Sequence, residues 1–122
     1  MSEIRANTIS DAAGTGPIDL YKQSAAKASV TMDSGAVIQG SSSTNISSTS
    51  DQGVGDYRIN FTNSFNSLWG YSGNTTSNSN DDALALFKHV SSSQVQVIII
   101  NTSAAPAKYD KPSDTVAHGD LA

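Results

Sequence analysis

The chain lacks cysteine altogether, and both proline and charged residues are scarce. The absence of cysteine excludes disulfides, thiolate metal sites and cysteine nucleophiles at once. Only three prolines occur, and charged residues make up 15% of the 122 positions. We therefore expect the folded state to be stabilised by packing or by assembly.

The chain is also poor in basic residues and has no long apolar run. Its seven lysines and arginines are scattered and the formal net charge is −4, so we expect no nucleic-acid partner, which would need a basic patch. No stretch reaches the roughly 20 apolar residues of a membrane span, and we expect no membrane insertion. The start, MSEIRANTIS, has no apolar core typical of a signal peptide, so export by that route is not expected.

Small polar residues are abundant instead. Ser, Thr, Asn and Gly together occupy 49 of the 122 positions. These residues are weak helix formers, so the composition favours short strands and turns. Because the apolar residues cluster in alternating runs, we expect an ordered chain with one domain and one core.

Residues 1–25 differ in pattern from the rest of the chain. Their large apolar side chains are widely spaced, and Gly14, Gly16 and Pro17 interrupt any helix or long strand. This pattern predicts an extended N-terminal arm, with an ordinary frayed terminus as the alternative. The side chains expected to anchor the arm to other proteins are Ile4, Ile9, Ile18 and Leu20.

Residues 26–122 carry the patterns of strands. Tyr57, Ile59 and Phe61 alternate with polar residues, which predicts a strand paired through the loop 51–56 with a strand at 46–49. The run 95–100 is apolar on both faces from Val97 onward, as in a central strand covered on both sides or packed at a subunit interface. Further strands are predicted at 28–33, 68–71, 83–90 and 115–119, with a polar loop at 72–82. About seven short strands indicate an all-β fold, an antiparallel β-sandwich.

Residues able to do chemistry are few. His89 and His118 are the only histidines, and neither has partners at a metal-ligand spacing, although His118 and Asp120 could supply two ligands. The carboxylates at 81–82, and Asp110 with Asp114, could bind Ca²⁺ or act as an acid pair. They fall in predicted loops, however, where solvated turn residues are the default interpretation. We expect no cofactor, no metal and no enzymatic activity.

Two aromatic residues suggest a binding surface. Trp69 and Tyr71 are spaced to place both rings on one face of a strand, close to the amides of Asn74 and Asn78. Stacked rings with nearby amides suit a glycan, but the same spacing suits a core or an interface equally well. We favour the core or interface interpretation.

Several segments resemble one family of virion proteins. They are IRANTISDAAGTGPIDL, QSAAKASVTM, NISSTSDQGVGDYRINFT and the closing VAHGDL, and together they span nearly the whole chain. In the most specific of them, the matching positions are Ser48, Asp51, Gly53, Gly55, Asp56, Tyr57, Asn60, Phe61 and Thr62. The sequence resembles a module found at the ends of bacteriophage tail fibres and related virion proteins.

The resemblance implies a structural virion protein, usually a homotrimer, without catalytic residues. We expect residues 26–122 to form a spike or fibre head, and residues 1–25 to attach it to other phage structural proteins. A head-fibre or capsid decoration protein is one alternative. A carbohydrate-binding module that recognises a host surface glycan is another.

Overall fold

The computed structural model describes residues 26–41, 43–77, 83–103 and 105–122. Within these ranges all regular structure is β-strand, arranged in two antiparallel sheets. One sheet has the order β1 (Ala28–Met32), β7 (Ser113–Gly119), β4 (Tyr71–Ser77), and the other has the order β2 (Ile46–Gly53), β3 (Asp56–Phe61), β6 (Gln94–Asn101), β5 (Ala83–Ser91). The predicted antiparallel β-sandwich is confirmed, whereas the predicted arm, residues 1–25, lies outside the described residues.

The core lies between the two sheets and is built from alternate residues of their strands. In β3 and β6 the inward positions are apolar and the outward positions of β3 are polar, as the alternation predicts. Burying such side chains contributes roughly 1.5–3 kcal/mol each. The largest fully buried apolar side chains are Tyr57, Phe65, Met32, Ile59, Ile99, Val95 and Val97.

The β2–β3 hairpin forms where the sequence predicts it, but its strands are longer than predicted. Only Val54 and Gly55 separate them, so the predicted loop 51–56 is mostly strand. The side chain of Asp51 accepts a hydrogen bond of 2.8 Å from the amide of Gly53, where the pairing register shifts. This side-chain-to-backbone bond favours the tight turn.

The predicted strand 68–71 and the predicted loop 72–82 are both wrong over the described residues. The chain turns at residues 67–70, and β4 begins only at Tyr71. β4 is almost wholly polar, so its composition resembles that of a loop. It forms a strand because it pairs with β7 over its full length, and Thr75 meets Thr115 in a buried hydroxyl–hydroxyl hydrogen bond of 2.8 Å.

The strand β6 is central in its sheet, as predicted from its apolar run. It pairs with β3 on one side and with β5 on the other. Its odd-numbered residues from Val95 to Ile99 are buried in the core, while Ile98 and Ile100 point to the opposite face and are half-buried. The outward half of this apolar run therefore lies on the outer surface of the four-stranded sheet.

Candidate interaction surfaces

Trp69 and Tyr71 do not lie on one strand as their spacing predicts, and they differ sharply in exposure. Tyr71 is buried at the start of β4, and its hydroxyl lies 2.7 Å from the carbonyl oxygen of Ser91, to which it donates. Trp69 belongs to the preceding turn and is 81% exposed, with its ring edge-on to that of His89 at 6.0 Å. The core interpretation holds for Tyr71 alone, because the turn breaks the strand that would have aligned the two rings.

Of the two predicted amides, the structure describes that of Asn74. Asn74 is exposed on the outer face of the three-stranded sheet, and Asn78 lies outside the described residues. On that face Asn74 pairs with Val116, and the next outward pair, two residues along each strand, is Thr76 with Asp114. Of the residues predicted for glycan recognition, the described part of the chain places Tyr71 in the core, Trp69 in an exposed turn and Asn74 on an outer sheet face.

The candidate acidic and histidine residues are also dispersed. His89 lies among aromatic rings on β5, whereas His118 lies on β7. Asp110 bonds to the β2–β3 turn and Asp114 lies on β7. Among the described residues no group of three or more His, Cys, Asp or Glu side chains could hold a metal ion. The predicted carboxylates at 81–82 lie outside those residues.

Hydrogen bonds of Gly55 and Tyr57 join the β2–β3 hairpin to the connection that precedes β7. Both residues belong to the motif that carries the resemblance. The amide of Gly55 donates a hydrogen bond of 2.7 Å to a carboxylate oxygen of Asp110. The hydroxyl of Tyr57 lies 3.1 Å from the same oxygen and 3.0 Å from the carbonyl oxygen of Ser34. Burial, with a contribution from Asp110, raises the pKa of Tyr57.

Asp56 and Asn60 form side-chain hydrogen bonds on the outer face of the four-stranded sheet. Asp56 accepts hydrogen bonds from Gln96 at 2.7 Å and from Lys108 at 2.9 Å. Burial opposes ionisation of Asp56, but these two bonds and the nearby positive charges outweigh it and lower its pKa. The side chain of Asn60 accepts a bond of 2.6 Å from Gln94. These motif residues tie β3 to its neighbour β6.

Because Tyr57 and Tyr71 are buried, we expect the protein to lose stability in alkali. Burial raises the pKa of Tyr71 from the ordinary 10.0 to about 12, and the pKa of Tyr57 is raised as well. The unfolded state therefore loses these protons first, so stability present below about pH 10 falls as the pH rises towards about 12. Each group contributes a slope of up to about 1.4 kcal/mol per pH unit to the free energy of unfolding.

Urea unfolding of the protein and of Tyr71→Phe at pH values from about 9 to about 11 measures this fall. The variant keeps the ring and removes the ionisable hydroxyl, so its free energy of unfolding should fall less steeply. An equal fall in both proteins would contradict the assignment to Tyr71.

A contiguous apolar patch lies on the outer face of the four-stranded sheet. Leu84 pairs across the strands with Ile100, and Leu86 pairs with Ile98. Leu84 is 46% and Leu86 42% exposed, while the two isoleucines are half-buried. We call these four residues the β5–β6 patch. Isolated exposed apolar residues are ordinary on protein surfaces, but these four are mutual neighbours.

Basic side chains border the β5–β6 patch. Arg58 of β3 and Lys88 of β5 both pair with Gln96, one on each side of it, so the three occupy one row across the sheet. Lys108 forms a bridge with Ile100 and reaches Asp56 with its ammonium group. Sequence reasoning missed this surface because Arg58, Lys88 and Lys108 are far apart in the chain.

No helix among the described residues is long and apolar enough to cross a membrane. No protein-family model, no curated protein and no solved structure matches this chain.

Proposed function

We propose that this chain is a structural protein of a bacteriophage particle, a short tail-fibre or spike component that forms a homotrimer and contributes to host attachment. The β-sandwich of residues 26–122 would project from the particle. The arm, residues 1–25, would join it to other phage structural proteins by Ile4, Ile9, Ile18 and Leu20. The site of action would be the virion.

The observation that carries this proposal is the structural role of the motif residues on which the resemblance rests. Gly55 and Tyr57 fasten the hairpin to Asp110, and Asp56 and Asn60 bond to β6. The part of the sequence that most resembles tail-fibre modules is thus the β2–β3 hairpin, which supplies two strands of the four-stranded sheet. This agrees with a module whose role is architectural.

Removing residues 2–20 is expected to leave a folded protein that no longer joins particles. The sandwich has its own buried core without these residues, so the unfolding transition of residues 26–122 should be kept. Incorporation is measured by quantitative mass spectrometry of purified particles from a host that supplies the shortened chain. Incorporation at the level of the full chain would contradict the role of the arm.

A matched pair of variants separates the apolar anchors from the length of the arm. One variant changes the four large apolar residues to serine, and the control changes four polar residues of the same arm to alanine. Only the first should be missing from particles. The control positions are Ser2, Asn7, Thr8 and Ser10.

One observation favours a second candidate, recognition of a host surface glycan. Trp69 is the most exposed large apolar side chain of the described residues, and an indole face open to solvent suits stacking on a sugar ring. Glycan-array binding that disappears in Trp69→Ala, with the unfolding transition unchanged, would support this candidate. Binding that persists would remove Trp69 from any such site.

A further inference from the structure

The β5–β6 patch is an exposed apolar surface at the edge of its sheet. β5 ends the order of its sheet, and two neighbouring leucines on its outer face, Leu84 and Leu86, are exposed. A long edge strand with an apolar face is a site where proteins associate, and natural proteins cover, charge or bend such edges. On β5 only Lys88 places a charge at this edge, so most of the patch stays apolar. Covering the patch with another surface would remove this apolar area from water.

The charges around the β5–β6 patch are opposite in sign to those of the rest of the chain. Arg58, Lys88 and Lys108 are three of only seven basic residues, and among the described residues Asp56 is the carboxylate that pairs with them. These four residues therefore carry a formal charge of +2 in a chain whose net charge is −4, which leaves −6 for all other residues. Any other surface of a second copy is on average acidic and attracts this face.

The side chain of Arg58 also favours an acidic partner surface. Its Nη1 nitrogen is buried and has no hydrogen-bond partner among the described residues, and the nearest carboxylate oxygen, on Asp56, is 4.0 Å away. A buried donor without an acceptor costs about 1–3 kcal/mol. The Arg58 side chain as a whole is 26% exposed, so part of it remains open to a carboxylate of a docked surface.

We propose that the outer face of the four-stranded sheet, with the β5–β6 patch at its centre, binds a second copy of this chain through a different, acidic surface of that copy. Two such faces packed on each other would oppose Arg58 and Lys88 to like charges, so the contact is head-to-tail. Head-to-tail contacts close into rings when the rotation between copies allows it. This inference deepens the proposed function, since it names the surface through which subunits of a spike meet.

The experiment measures self-association of the full chain by sedimentation velocity over a range of concentrations. Leu86→Glu removes patch area and adds a negative charge, and Lys88→Glu reverses a charge beside it. We expect each to weaken association by about tenfold or more. Val54→Glu is the matched control, because it makes the same charge change at an exposed apolar residue of the hairpin turn and should leave association unchanged. Leu86→Thr keeps a strand-forming residue and serves if the glutamate variant does not fold.

Three results would overturn the proposal. One is a chain that stays monomeric at every concentration, and another is an oligomer that Leu86→Glu and Lys88→Glu leave intact. The third is a monomer whose amide exchange on β5 is slowed by a synthetic peptide of residues 1–25, since the occupant would then be the arm. The experiment uses purified protein, so its failure is distinguishable from failure to join particles, which tests the proposed function separately.

Discussion

Replacing Gly55 with alanine is expected to lower the free energy of unfolding by about 3 kcal/mol or more. Gly55 adopts a φ of 61°, and an added Cβ would lie 2.5 Å from the carbonyl oxygen of Ile99 and 2.7 Å from the amide nitrogen of Tyr109. Both atoms belong to the backbone, so no side-chain rotation relieves the clash, and the backbone of the turn, of β6 or of the connection that follows it has to move. Urea unfolding followed by circular dichroism measures the loss.

Gly40→Ala is the matched control for this prediction. Gly40 has nearly the same φ, 60°, but a Cβ there would meet nothing within 4 Å. The control therefore carries the cost of a left-handed alanine alone, about 1–2 kcal/mol. If both variants lost the same stability, the close approach of Ile99 and Tyr109 to Gly55 would not be the cause.

Replacing Phe65 with alanine is expected to cost about 3–5 kcal/mol. Phe65 lies outside the strands but is 1% exposed, stacked on the ring of Tyr71 at 4.4 Å and edge-on to Phe61 at 5.0 Å. Its backbone amide also donates to the carbonyl oxygen of Ser92 in the β5–β6 turn. Truncation would leave a cavity where the connection between β3 and β4 closes one end of the core.

Trp69→Ala, in the same connection, is the control for Phe65→Ala. The indole is larger than the phenyl ring but lies mostly in solvent, so its removal should change the free energy of unfolding by no more than about 0.5 kcal/mol. Thermal unfolding of the two variants side by side gives the comparison. A larger loss of stability in Trp69→Ala than in Phe65→Ala would contradict the assignment of Phe65, rather than Trp69, to this end of the core.

The fold is predictable wherever apolar residues alternate with polar ones. In β3 the period of two settles both the strand and its buried face, because Tyr57, Ile59 and Phe61 are all inward. β4 is not predictable in this way, since its inward positions include Gly73 and Thr75. Its burial depends on partners distant in sequence: Thr115 for Thr75, and for Gly73 the ring of Phe87, which would clash with a Cβ at position 73.

The candidate surfaces were harder to predict than the strands. Spacing alone aligned Trp69 with Tyr71, but the turn at residues 67–70 separates an exposed ring from a buried one. The apolar run of β6 did predict that a second apolar face exists. It could not predict which residues surround that face, because Arg58 and Lys108 reach it through sheet pairing and through a bridge.

The solution mass of the full chain, measured by light scattering, tests most directly the claim that this protein is an assembling subunit. A homotrimer has three times the chain mass of 12.7 kDa, or 38.1 kDa, and this is the expected value. A stable mass of 12.7 kDa at all concentrations would contradict the claim. The exposed β5–β6 patch would then need another explanation.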